Sequence, residues 1–260
     1  MRRTILLCAL ASMHAGAAHA EDPAPPFSAN ISVTTDYRYR GISQTRLQPA
    51  VQGGLDYAHA SGVYVGTWAS TIKWIKDTGR AAGIDAGNSR VEWDIYGGYK
   101  GEIAKDVGYD VGVLTYIYPG NKYKNLSGAN ANTTELYGAL TFGPVTVKYS
   151  HSVTNLFGFD DSKNSGYIEG AATFDVGGGF SITPHIGYQK VRGYSDYSYI
   201  DYSIGASKEW NGFAVSLAVV GASTKSVSGN PGSYAYYSPD GSNTKNLGRT
   251  GVVLAVKKTF

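Results

Sequence analysis

Residues 27–41 read FSANISVTTDYRYRG. Every second residue from Phe27, namely Ala29, Ile31, Val33, Thr35, Tyr37 and Tyr39, belongs to a set that is mostly apolar or aromatic. The residues between them, Ser28, Asn30, Ser32, Thr34, Asp36, Arg38 and Arg40, are polar or charged. A period of two means an extended strand with two unlike faces. The alternation runs for about thirteen residues, more than twice the usual strand length. A soluble sheet would lay the apolar face on a core. A membrane barrel would lay it on lipid and turn the polar face to a wet interior.

The alternation recurs through residues 51–58, 91–100, 109–117, 135–142, 145–150, 167–176, 180–189, 200–207, 213–219 and 252–260. Residues 63–72 also read as extended, but Val63 and Val65 compete with Tyr64 and Trp68 for the apolar face. The pattern predicts an all-β, up-and-down antiparallel transmembrane barrel of about twelve strands, with about ten to fourteen in range. The connections alternate in length. Short ones fall at 60–62, 102–106, 143–144, 177–179 and 209–212. Long ones fall at 41–49, 73–88, 119–131, 154–165, 192–196 and 222–247, the fifth long only in comparison. Short periplasmic turns and long outer loops are a known asymmetry of outer-membrane barrels.

Aromatic residues gather on the apolar phase beside the short turns: Phe27, Tyr57, Tyr99, Tyr109, Phe142, Phe174, Phe180, Phe213 and Phe260. Such a belt belongs at a membrane–water interface. Tyr37, Tyr39 and Tyr188 are expected to form a thinner second belt at the opposite end. On this reading Ile31, Val33 and Tyr37 face lipid, and Asp36, Arg38 and Arg40 face the interior or its mouth.

The first twenty residues read as a secretory signal peptide. Arg2 and Arg3 precede a short apolar run, and Ala18-His19-Ala20 is a small-x-small cleavage site. The run is too short for a spanning helix, which needs about twenty residues. The expected organisation is a signal peptide at 1–20, a short periplasmic segment at 21–26 and one barrel domain at 27–260. The only cysteine, Cys8, lies inside the leader, so disulfides do not enter. Without Arg2 and Arg3 the chain carries 21 basic and 20 acidic residues. That balance excludes a nucleic-acid binder, which needs a concentrated basic face. The 34 Gly and 21 Tyr of the chain suit turns, curved strands and membrane interfaces.

The segments TTDYRYRGISQT, PAVQGGLDYAHASGVYVGTWAS, EWDIYGGYKGEI, YDVGVLTYIYPG and TELYGAL together resemble the TorF-type porin family, long described as a conserved domain of unknown function. The resemblance covers about residues 30–150, and the C-terminal half follows by pattern more than by motif. It implies an outer-membrane β-barrel and a pore, and supplies no substrate. The C-terminal Phe260, with Val252, Leu254 and Val256 on the same phase, also resembles the signal read by the outer-membrane assembly machinery. Lys258 departs from that signal.

The polar phase nominates pore-lining residues. The acids are Asp36, Asp56, Glu92, Asp94, Asp110, Glu135, Glu169, Asp175 and Asp201. The bases are Arg38, Arg40, Arg90, Lys100 and Lys148. The acidic excess implies a weak preference for cations or zwitterions if the charges line an open bore. If they pair across strands, they only keep the interior satisfied. Tyr96, Tyr116, Tyr137 and Tyr167 also point inward, either as a stacking track for a planar solute or as fillers that narrow the bore. Trp74 and Ile75, in the loop 73–88, either fold into the bore or pack on its rim.

Enzyme chemistry is not indicated. His151 lies on the apolar phase, and its neighbours Ser150 and Ser152 point to the other face. His59 sits in a turn and His185 stands alone among lumen residues. No spacing calls for a cofactor or a metal: residues 160–166 place their Gly one position late for a calcium loop and lack the twelfth acid. The expected partners are outer-membrane lipid, the assembly machinery and a small polar solute, with no nucleic acid. Two functions follow: a passive diffusion channel in a Gram-negative outer membrane, or a closed barrel that binds or adheres through its outer loops.

Overall fold

The computed structural model describes residues 26–225, 233–238, 240 and 243–260. The expected signal peptide and residues 21–25 lie outside the described residues. Twelve strands form one closed antiparallel barrel. The first six are β1 Phe27–Thr34, β2 Ala50–Ala58, β3 Val63–Thr71, β4 Val91–Ala104, β5 Val107–Ile117 and β6 Thr133–Phe142. The next is β7 Val145–Ser152, followed by β8, which runs Gly166–Ala172 and resumes at Phe174–Gly177. The last four are β9 Phe180–Lys190, β10 Tyr199–Trp210, β11 Phe213–Ser223 and β12 Gly251–Thr259. Each strand pairs with its sequence neighbours, and β12 returns to β1 with Asn30 opposite Thr259 and Thr34 opposite Ala255. Closure leaves no unpaired sheet edge, which is the condition for strands to sit in hydrocarbon.

The barrel is inside out relative to a soluble domain. Ile31, Val33, Val51, Leu55, Val113, Leu136, Ile204, Leu217 and Leu254 stand exposed on its outer surface. An unbroken apolar wall of this kind is a membrane-contacting surface. In β3 the competing phases resolve, with Val63 and Val65 outward and Trp68 packed inward. Phe27, Tyr99, Phe142, Phe174, Phe180, Phe213 and Phe260 are exposed beside the short turns. Tyr57 and Tyr109 lie against them, with ring centres 4.8 Å from Phe27 and 6.0 Å from Tyr99 respectively.

The second belt differs from the expectation. Tyr188 faces outward, and it is joined by Trp93, Tyr149 and Tyr202. Tyr37 does not face lipid. It is 2% exposed, and Tyr39 packs in the same interior cluster. The cause is that β1 has 8 residues, not thirteen. The Thr35 amide donates to the Leu254 carbonyl at 2.9 Å, and the Leu254 amide donates back to Thr35 Oγ1 at 3.0 Å. Beyond this pair the chain leaves the wall and enters the barrel.

Candidate functional site

Residues 35–49 fold into the outer half of the barrel. A short hairpin pairs Arg38–Tyr39 with Ile42–Ser43. It reverses at Arg40 and Gly41, whose φ angles are 45° and 76°. Gly41 is required twice over, since a Cβ there would stand 2.7 Å from Asp201 Cβ and from the Gly221 carbonyl. Asp36 anchors the base of the hairpin. It accepts from Arg38 Nε at 2.5 Å, Ser43 Oγ at 2.5 Å and Thr45 Oγ1 at 3.2 Å. Arg38 also donates to the carbonyls of Gly41, Leu247 and Arg249, at 2.9, 3.1 and 3.1 Å. Every charge here has a close partner, as a buried charge must.

Arg40, at the hairpin tip, crosses the bore. Its guanidinium meets Glu135 of β6 in a two-pronged pair, at 3.0 and 2.7 Å, and donates to Gln189 of β9 at 2.6 Å. It stacks on Tyr167 of β8, with 4.1 Å to the ring centre, and on Tyr39 at 4.8 Å. Planar, forked and always charged, Arg is the side chain suited to such a joint. Tyr116 completes it by donating to Glu135 at 3.3 Å and accepting from the Tyr39 hydroxyl at 2.8 Å. This bridge spans the interior and forms a waist.

Beside the waist Glu92 is 1% exposed and accepts from the hydroxyls of Tyr37 and Tyr118, the latter at 2.8 Å. Two positions along β4, Asp94 is 7% exposed and its Oδ1 has no hydrogen-bond partner. On the far wall His185 lies 3.0 Å from Glu169 and 3.6 Å from Asp201, which also accepts from the Tyr167 hydroxyl at 3.0 Å. His185 stands alone in the alternation pattern, and the pairing of its strand with β8 and β10 brings its two acids to it.

Below the waist, toward the short turns, the interior is polar and mostly half-exposed, with Asp110 and Tyr137 buried. Tyr64 donates to Asp110 at 2.6 Å and also meets the Tyr137 hydroxyl, while Tyr96 donates to Asp56 at 2.5 Å. Lys148 stands 4.4 Å over the Tyr137 ring and Lys100 stands 5.7 Å over Tyr64. Small polar residues on β1, β9 and β10, among them Ser32, Thr183 and Ser203, share this half-exposed interior.

The waist therefore joins or adjoins Asp36, Arg38, Arg40, Glu92, Asp94, Tyr116, Glu135, Tyr167, Glu169 and Asp201. The lower interior holds Asp56, Tyr96, Lys100, Asp110, Tyr137 and Lys148. Two residues of the polar phase fall outside both groups. Arg90 precedes β4 among the outer loops and is exposed. Asp175 is exposed beside the short turn at 178–179, where β8 is broken and its register shifts. Gln189 and Tyr118 join the site without a signal in the charge pattern. Gln189 lies on the polar phase of its strand but carries no charge, and Tyr118 lies just past the end of β5.

Above the waist the outer loops enclose a cavity of about 630 Å³. Helix α1, Trp74–Ala82, forms one side. Its Ile75 is fully buried, and the amide of Lys73 donates to the Gln44 carbonyl at 2.9 Å, tying the helix to the inward segment. Loop 73–88 thus packs on the hairpin, and its Ile75 joins the buried interior cluster that holds Tyr37 and Tyr116. A short helix α2, Lys124–Ser127, and a hairpin pairing Ala235–Tyr237 with Thr244–Asn246 border the same loops. Tyr39, Trp74, Tyr118, Tyr123, Phe157, Tyr197 and Tyr234 are among its aromatic walls. Outside the wall, a Lys122 hydrogen bond holds the exposed Asp85 carboxyl below its usual range.

Solved structures share this architecture. A structure titled KdgM porin superposes with a TM-score of 0.53 at 9% identity, covering 90% of this chain and 99% of that one. KdgM porin in complex with disordered oligogalacturonate gives 0.53 at 10% identity, with the same coverage. NanC porin gives 0.51 at 8% identity, covering 90% of this chain and 98% of that one. Identity this low carries the fold alone. None of the curated proteins matches the sequence. A family described as bacterial protein of unknown function, Gcw_chp, matches residues 17–260. The chain belongs to the Gcw_chp family, with the barrel architecture of outer-membrane porins.

Proposed function

We propose that the chain is an outer-membrane channel of a Gram-negative bacterium for passive diffusion of small polar solutes, and not an enzyme. The observation that carries this reading is the polar and mostly half-exposed interior below the waist, which a barrel with a merely structural core does not need. The inward segment 35–49 is the constriction, and the bridge from Arg40 to Glu135 sets its width. The porin-like fold supports the reading, as does the resemblance to the TorF-type family. The leader at 1–20 would direct export, and Phe260 would be read by the outer-membrane assembly machinery.

The charge pairing bears on selectivity. Arg38, Arg40 and His185 are each engaged by interior acids, while Asp94 keeps an oxygen without a partner. A weak preference for cations or zwitterions is expected where Asp94 carries its charge in a narrow bore, since lining charges set selectivity. Swelling of liposomes containing the refolded barrel tests the channel, using polar solutes of increasing size. Swelling with the smallest solutes and a sharp size cut-off supports it. No swelling with any of them favours the second reading, a closed barrel acting through its outer loops as a binding or adhesion protein. The near-complete burial of Glu92 and Glu135 at the waist speaks for that alternative.

A further inference from the structure

The cavity above the waist is built mainly from ring surfaces. Trp74 meets Tyr118 and Tyr123 edge to face, with ring centres 5.2 Å apart in both cases. The hydroxyls of these walls are largely engaged within the protein. Tyr39 donates to Tyr116 at 2.8 Å, Tyr118 to Glu92 at 2.8 Å, and Tyr234 to the Tyr197 carbonyl at 2.9 Å. Rings are what a guest would chiefly meet, with two polar atoms of the lining, Trp74 Nε1 and Ser233 Oγ, left without a partner.

Charge on the wall is also neutralised. Arg46 pairs with Asp77 of α1, Nε to Oδ2 at 2.7 Å, and its guanidinium lies 4.2 Å over the Tyr236 ring. Burial pushes the Tyr123 hydroxyl up to about 12, so that wall stays uncharged in any ordinary buffer. The remaining ionisable acid on the lining is Asp160, which repels an anion. A space of about 630 Å³ is within the usual range for a small-molecule pocket.

We propose that this vestibule is a binding site for an uncharged aromatic solute, held by stacking and edge-to-face contacts with Trp74, Tyr123 and Tyr236. A sugar of the same size fits less well, because its many hydroxyls would find few open partners. An anionic ring is opposed by Asp160. The site stands above the waist and does not depend on whether the barrel conducts.

Equilibrium dialysis of the full-length barrel in detergent tests this, with empty micelles as the partition reference. The probe is 4-hydroxyacetophenone at slightly acidic pH, compared with benzoate and with maltose. Two variants act in opposite ways: Trp74→Ala removes a wall, and Ala81→Trp fills the space from an exposed position on α1. A heat-dependent gel shift shows that each is folded. Saturable binding of the probe, weakened about tenfold or more in both variants, with neither comparison compound bound, is the expected result. No saturable binding to the folded wild type overturns the site. Binding unchanged in Ala81→Trp, or equal binding of maltose or benzoate, overturns the location or the ligand class.

Discussion

Arg40 and Glu135 are 95 residues apart in sequence and joined by two hydrogen bonds, at 3.0 and 2.7 Å, across the barrel interior. The pair fixes the tip of an inward hairpin to the opposite wall. Removing one partner leaves the other buried and uncompensated, which costs about 3–5 kcal/mol. Arg40→Ala and Glu135→Ala should each lower the unfolding midpoint in urea. The double replacement should cost less than the two single losses added together. Additive losses would mean that the pair contributes no coupling.

Leu254 lies on the outer face of β12, opposite Leu217 of β11. Its position near the middle of the strand brings it close to the bilayer midplane. Leu254→Arg should destabilise the inserted barrel by about 2–4 kcal/mol and slow assembly into liposomes. Normal insertion would contradict the outward phase of β12.

Tyr64 lies across Gly98 on the interior side of β3 and β4. A Cβ at Gly98 would stand 2.5 Å from the Tyr64 hydroxyl and 2.4 Å from the Val111 carbonyl, and the carbonyl is backbone that cannot swing away. Gly98→Ala should destabilise the barrel by about 1–3 kcal/mol, the usual cost of overpacking. At Gly170, on β8, a Cβ would meet nothing within 4 Å. Gly170→Ala should fold like the wild type. Equal tolerance at both positions, read by heat-dependent gel mobility, would argue against this close packing.

Glu92 and Asp94 sit two residues apart on β4, beside the waist. Removing their charge as Glu92→Gln with Asp94→Asn should shift the reversal potential under a salt gradient toward anions. An unchanged potential would put these acids outside the ion path.

The strand phases were legible because lipid outside and polar groups inside impose a period of two on nearly every strand. The alternating loop lengths fixed the up-and-down order for the same reason: one end of the barrel needs only tight turns. The end of β1 was not legible. Tyr37 and Tyr39 continue the apolar phase and Arg38 and Arg40 the polar one, so an inward hairpin and a longer strand spell the same pattern. What ends the strand is the Thr35–Leu254 exchange and the left-handed Arg40-Gly41 turn, and neither shows in the alternation. The charge partners were equally hidden. Arg40 meets Glu135 only after the sheet closes, and His185 meets Glu169 and Asp201 through the registers of its two hairpins. Arg90 and Asp175 followed the polar phase to positions at or beyond the strand ends, where phase no longer fixes direction.

On the function proposed above, the barrel conducts and the inward segment 35–49 limits the flow. Single-channel recording of the refolded protein in a planar bilayer tests it most directly, comparing the wild type with the Arg40→Ala, Glu135→Ala double variant. Stable conductance steps in the wild type and larger steps in the variant are expected. No steps from either protein, when both show the heat-dependent gel shift of a folded barrel, would contradict it.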